Sequence, residues 1–285
     1  MHSKFSFLSL ARSISYSSVL VSAGAASLCA FSSQILFYKI ELSHVTFIFF
    51  CTLFAYNLQR KIATPKKSIN YNQQDQWLRK NARFVSAILM ISALVSCYFI
   101  FYINLNSIWF LILFGALSFF YVKNLGSIPN LRSLPFLKVF IVGFVWGGAT
   151  VFLPSIFNSN LHLTWQIHLY ALSIACFVFG ESLPFDIRDM NYDHEFNLKT
   201  IPQTIGTSNT LKLSFVAFGL AFAIQTFLFI TDFISFLAFL SFASSLIISA
   251  LICNQVNEKR PHLFYSLILE STLILPFTIY FIISL

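Results

Sequence analysis

Apolar residues come in long runs along this chain, and polar residues come in short clusters between them. Nine runs stand out, at about 14–38, 43–57, 82–103, 107–122, 136–157, 165–185, 211–230, 233–253 and 263–284. A helix needs about 20 apolar residues to cross the core of a bilayer. The second and fourth runs are short, and the break between the seventh and eighth rests on Thr231-Asp232. The pattern predicts an all-α polytopic membrane bundle of about nine transmembrane helices, with a central cavity facing the cytosol. Residues 1–285 read as a single domain.

The cations fix the orientation of these spans. With the N-terminus in the cytosol, all of the 18 Lys and Arg except Lys39 fall on the cytosolic side, as the positive-inside rule expects. The outer loops are then short: Asn104-Leu-Asn106, residues 158–164 and Thr231-Asp232. Lys4 and Arg12 precede the first run as they would in a signal peptide, but that run is too long, so it reads as a retained span of a cell-membrane protein. Pro184 is expected to break the sixth span near its cytosolic end and open a cavity there.

Composition agrees. Mean hydropathy is +0.76. Of all residues, 57% are hydrophobic and 10% charged, against roughly a quarter charged in soluble domains. The net charge of +8 does not read as a nucleic-acid surface, because no basic stripe is interleaved with aromatics in a polar domain. Membrane lipid is the expected surrounding, and nothing points to an obligate protein partner. The five cysteines stand singly, so neither a disulfide framework nor a zinc site is indicated. The 36 phenylalanines read as lipid-facing and packing residues. His44, His162 and His168 read as interfacial on the outer side, and Trp77, Trp109, Trp146 and Trp165 as interfacial anchors.

Against this acid-poor background one stretch is unusual: Asp186-Ile-Arg-Asp189-Met-Asn-Tyr-Asp193, followed by Lys199-Thr-Ile-Pro202. On a continuous helix, spacings of three and seven put all three carboxylates on one face, where they repel unless a cation joins them. Oxygen ligands at a membrane boundary suit Mg²⁺ with a phosphate-bearing substrate. A second basic group, Lys123, Arg132 and Lys138, brackets Pro129 and Pro135 and reads either as ordinary positive-inside charge or as placing Lys138 to meet the anionic head of a lipid substrate. Glu181 is placed to share a cavity with Asp186, and Glu270 lies inside the last apolar run, where an acid is a functional candidate.

The run Asp186-x-x-Asp189-x-x-x-Asp193, with Lys199-Thr200-Ile201-Pro202-x-x-x-Gly206, resembles the second aspartate-rich motif of the UbiA superfamily of intramembrane prenyltransferases. Asn197 stands where that family usually has glycine, and Asn tolerates the left-handed turn next best. The segment from Tyr121 to Trp146, with Leu131-Arg132-x-x-Pro135-x-x-Lys138, agrees with the family as well. The first motif departs from it. Asn57 is kept, but Leu58, Lys61 and Pro65 stand at the three aspartate positions.

The resemblance implies a Mg²⁺-dependent transfer of a prenyl group from a prenyl diphosphate to a hydrophobic aromatic or quinone-precursor acceptor. It implies Asp186, Asp189 and Asp193 as the catalytic metal ligands, with Asn57, Arg60, Lys61, Lys123, Arg132, Lys138, Arg188 and Lys199 around the substrate. The lost first motif leaves two readings open. Arg60 and Lys61 clamp the diphosphate in place of a metal, or the fold binds and carries an isoprenoid or anionic lipid without catalysis.

Overall fold

The computed structural model describes residues 7–63, 73–101, 108–124, 130–134, 136–154, 164–195 and 198–285, and these are helical almost throughout. Lys4, Pro65, Lys66, Lys67, Asn104, Asn106, Pro129, Pro135, His162 and Asn197, with the rest of 158–163, lie outside the described residues. Among the described residues, seven helices are long and apolar enough to cross a membrane, and two shorter apolar helices accompany them. Together they match the nine apolar runs.

The first run is divided. α1 (Phe7–Tyr16) and α2 (Val19–Phe37) meet at Ser17-Ser18, where Ser18 adopts a left-handed conformation with φ 66°. The break frees the carbonyls of Tyr16 and Ser17 from helical hydrogen bonding, and these become anchor points for the site. α3 (Leu42–Ala63) runs past the expected end at 57, so Arg60 and Lys61 are helical residues. α4 (Gln73–Lys80) is a short polar helix that the apolar pattern does not reveal. α5 (Ala82–Ile100), α6 (Ile108–Phe120) and α7 (Leu137–Gly147) follow, and α7 continues into a π-helical turn at Gly148–Phe152.

α8 (Trp165–Arg188) passes through Pro184 unbroken, contrary to the sequence expectation. The interruption falls at Asp189, which takes φ −92° and ψ 4° before α9 (Met190–Glu195). Asp186, Asp189 and Asp193 therefore do not share one face of a continuous helix. α10 (Ile201–Ile230) starts ten residues before the apolar run at 211, because its first turns are polar. The Thr200 N–H donates to Gln203 Oε1 at 3.1 Å and starts the helix. Gly206, at φ 79° and ψ 163°, kinks it in a region essentially reserved for glycine. α11 (Phe236–Cys253) and α12 (Phe264–Ile283) complete the bundle.

Contacts between helices close a cycle: α2 on α3, α3 on α6, α6 on α7, α7 on α8, α8 on α10, α10 on α11, α11 on α12, and α12 back on α2. α5 packs on the outside of α3. The most enclosed spans are α2 and α8. In α2 this follows from a run of small residues, Ser22 to Ser27, that lets neighbours approach. Ser27 Oγ donates to the Ile274 carbonyl on α12 at 3.0 Å, and Gln225 Nε2 of α10 donates to Ser173 Oγ of α8 at 2.8 Å. Outward faces carry exposed Met90, Ile91 and Leu94 on α5 and Ile247 and Leu251 on α11, which suits contact with acyl chains.

α7 and α8 approach through glycines. A Cβ at Gly147 would lie 2.6 Å from the Ala171 carbonyl oxygen, and one at Gly143 would lie 2.8 Å from that of Ala175. Gly147→Val is therefore expected to force the two helices apart and destabilise the fold by about 1–3 kcal/mol. Thermal unfolding in detergent checks this, and an unchanged midpoint would contradict the close packing.

Candidate active site

The cycle of helices encloses a cavity whose polar end collects charge from six elements, with Glu270 from α12 among them. α3 contributes Arg60, α4 Asp75, the α6–α7 connection Arg132, α7 Lys138, and α8 with its last turn Asp186, Arg188 and Asp189. Each is held by local structure. Arg60 Nη1 donates to the Tyr16 carbonyl at 3.2 Å, one of the groups freed by the break at Ser17-Ser18. Arg132 lies in a 3-10 turn, Leu131–Ser133, capped by Asn130, whose side chain accepts from the Ser133 N–H at 3.0 Å. The Arg132 N–H donates to the Tyr121 carbonyl at 3.0 Å, which ties this turn to the end of α6. Lys138, one residue into α7, enters the cavity from the same side.

The three aspartates separate into two groups. Lys138 Nζ bridges Asp186 and Asp193, with Asp193 at 3.5 Å, and Arg132 stands 3.6 Å from Asp193. Both carboxylates are almost fully buried, and neither Asp193 oxygen receives a hydrogen bond. Asp193 is held by ion pairing alone, and Asp186 by its direct contact with the Lys138 ammonium. Asp189 instead takes a two-pronged contact from its neighbour Arg188, at 2.7 and 2.8 Å. Arg188 also lies over the Phe185 ring at 5.1 Å and the Tyr265 ring at 5.8 Å, so its guanidinium is fixed on three sides. Burial alone would raise the Asp189 carboxyl, but Arg188 outweighs it and holds the group well below the usual carboxylate range. At the rim, burial raises the Tyr121 hydroxyl, which stays neutral beside Lys138 and Arg132.

Among the described residues, no group of three His, Cys, Asp or Glu side chains stands ready to enclose a metal. Mg²⁺ commonly takes only one or two carboxylates, with phosphate oxygens and water completing its shell. Asp186 and Asp193, buried and drawn to one cation, with both Asp193 oxygens free of hydrogen bonds, fit that role. A site closed by all three aspartates does not fit this arrangement, because Asp189 is engaged with Arg188.

The cavity gathers Arg60, Arg132, Lys138, Asp186, Arg188 and Asp189, with Asp193 packed behind Lys138. It does not gather four of the expected substrate contacts. Lys61, Lys123 and Lys199 are exposed, and none lines the cavity. Lys61 follows Arg60 on α3, so the helical turn of about 100° per residue carries it to another face. Asn57 is buried away from the cavity and donates to the carbonyls of Ser17 at 2.9 Å and Leu53 at 2.8 Å. It ties α3 to the break after α1.

Other residues enter unannounced. Asp75 is buried on α4 beside Gln74, whose amide donates to the Tyr16 carbonyl at 3.4 Å. Trp146, expected at a membrane interface, lies within α7 in the cavity wall and donates its Nε1–H to the Tyr56 hydroxyl at 3.1 Å.

A family model described as the UbiA prenyltransferase family matches residues 76–273. The chain belongs to the UbiA prenyltransferase family. The fold agrees with solved UbiA structures. The apo structure of a UbiA homolog from Aeropyrum pernix K1 superposes with a TM-score of 0.67 at 16% identity, over 93% of this chain and 98% of that one. A UbiA homolog from Archaeoglobus fulgidus bound to GPP and Mg²⁺ gives 0.62 at 14% identity, over 95% and 100%. A structure of digeranylgeranylglyceryl phosphate synthase gives 0.56 at 14%, over 96% and 99%. No curated protein matches the sequence. UbiA membership and the apolar helices together make this a multi-pass membrane protein.

Proposed function

We propose that the chain, residues 1–285 as one domain, is an integral-membrane prenyltransferase that moves a prenyl group from its diphosphate to an aromatic or quinone-precursor acceptor. The observation that carries this reading is the pair of buried carboxylates on Lys138, with Lys138 and Asp186 lining a cavity together with Arg60, Arg132 and Arg188. UbiA membership supplies the reaction class. Arg60, Arg132, Lys138 and Arg188 bind the diphosphate oxygens, and guanidinium groups suit the paired oxygens of a phosphate. Asp186 and Asp193 would hold Mg²⁺ together with the diphosphate, and the GPP and Mg²⁺ bound in a solved homolog support this. When bound, Mg²⁺ neutralises charge that develops on the leaving diphosphate.

The C1–O bond of the prenyl diphosphate breaks, and its electron pair leaves on the diphosphate. A ring carbon of the acceptor supplies the pair for the new bond to C1, and the proton of that carbon passes to solvent or to the released diphosphate. Preorganised cations stabilise the leaving charge without reorganising during the reaction. Asp189 keeps Arg188 aimed into the cavity. Exposed Lys61, Lys123 and Lys199 draw anionic substrate and lipid head groups toward the opening. The positive-inside pattern puts that opening on the cytosolic side of a cell membrane.

The test is incubation of the detergent-purified protein with geranylgeranyl diphosphate and a panel of hydroxylated aromatic acceptors. Diphosphate release with Mg²⁺, its loss on chelation, and a prenylated product are the expected results. A second reading has one observation in its favour: Leu58 and Lys61 stand where carboxylates of the first motif are expected. A protein that binds prenyl diphosphates but releases no diphosphate with any acceptor is the carrier of that second reading.

A further inference from the structure

Glu181 stands apart from the charged end of the cavity. It precedes Arg188 by seven residues and Asp186 by five on α8. At a helical rise of 1.5 Å per residue, that sets it about 10 Å and about 7 Å deeper along the helix. It is 3% exposed and lines the cavity, yet neither carboxyl oxygen has a hydrogen-bond partner. The hydroxyls of Ser249 and Thr272 stand beside it; Ser249 Oγ is likewise unpartnered, and Thr272 commits its proton to the Leu269 carbonyl at 2.6 Å. Glu270 has a different setting, since Arg60 and Arg188 act on it and draw it into the charged end.

A buried polar group without a partner costs free energy, and an acid inside a membrane span is expensive to keep. The cavity that Glu181 lines also has an apolar and aromatic wall, with Val142, Val178 and Leu273, and with Tyr56 and Trp146 packed edge to face at 90°. The rise of about 7 Å along α8 from Glu181 to Asp186 is comparable to the length of one aromatic ring. Building on the prenyltransferase reading above, we propose that Glu181 recognises the hydroxyl group of a phenolic acceptor. The ring lies along the Tyr56–Trp146 wall, and its reacting carbon points back toward the diphosphate. The hydroxyl donates to a Glu181 oxygen, and this completes the unpartnered carboxyl. Acceptors that lack a hydroxyl leave it unpaired and are rejected, as buried polar groups reject analogues that cannot pair with them.

The experiment is equilibrium binding of 2-naphthol and of naphthalene to detergent-purified wild type and Glu181→Leu, with geranylgeranyl diphosphate measured as a separate ligand. Wild type is expected to prefer 2-naphthol over naphthalene by about tenfold, the worth of one hydrogen bond. Glu181→Leu loses that preference and keeps its diphosphate affinity within about twofold, which also shows that it is folded. Equal binding of the two probes by wild type overturns the proposal. So does a variant that keeps the preference, or one that loses the diphosphate together with 2-naphthol. Wild type that binds 2-naphthol selectively but not the diphosphate leaves Glu181 assigned and removes the prenyltransferase reading instead.

Discussion

Lys138→Met is expected to destabilise the protein by about 3–5 kcal/mol and to abolish diphosphate binding. Lys138 bridges Asp186 and Asp193, whose side chains are 2% and 0% exposed. Removing the ammonium leaves one buried carboxylate with no ion-pair partner, and the other with Arg132 alone at 3.6 Å. Breaking a buried pair costs far more than the pair is worth, because the remaining charge has lost both water and partner. Adding Asp186→Asn to Lys138→Met removes that stranded charge, so the double variant is expected to recover part of the loss. Chemical unfolding of the four proteins closes a double-mutant cycle. Additive single effects would show that Lys138 and Asp186 are not coupled.

Arg60→Ala is expected to weaken prenyl diphosphate binding by about one hundredfold, while Lys61→Ala leaves it within about twofold. A hydrogen bond to a charged group is worth about 1.5–3 kcal/mol, and a two-pronged guanidinium contact reaches the upper end of that range. Arg60 lines the cavity with its guanidinium anchored on the Tyr16 carbonyl, whereas Lys61 is exposed on another face of α3. Titration with geranylgeranyl diphosphate at fixed Mg²⁺ measures both variants. Equal losses would place the two cations in the same role, and no loss in Arg60→Ala would remove the idea that it answers for the missing first motif. Asp75 adds an acid on that side, brought by α4 rather than by the motif.

Much of the fold was legible along the chain, since a bilayer imposes one rule on every span. Backbone groups must bond within the segment, so an apolar run of sufficient length becomes a helix whatever its neighbours are. The departures occur where tertiary contacts replace the apolar signal. Residues 201–210 are polar and yet helical, because the Thr200–Gln203 contact and the kink at Gly206 carry α10 toward α9. Pro184 does not end α8, which continues to Arg188. Trp146 resembles an interfacial residue only as long as α7 is viewed alone.

By itself the sequence determined that the chain is a multi-helix membrane protein, and that its scarce acids at 186, 189 and 193 belong with its cations. It determined the family likeness too, and which half of the paired motif had lost its carboxylates. Only the tertiary structure decided which cation meets which acid. Lys138 lies 48 residues before Asp186 in the chain, and no local spacing predicts their contact; the packing of α7 on α8 through Gly143 and Gly147 makes it. The same packing, with Arg188 drawing Asp189 aside, turned three evenly spaced aspartates into a buried pair and a separate clasp. Spacing along a helix sets which face a side chain starts from, and the charges that arrive from other helices set where it ends.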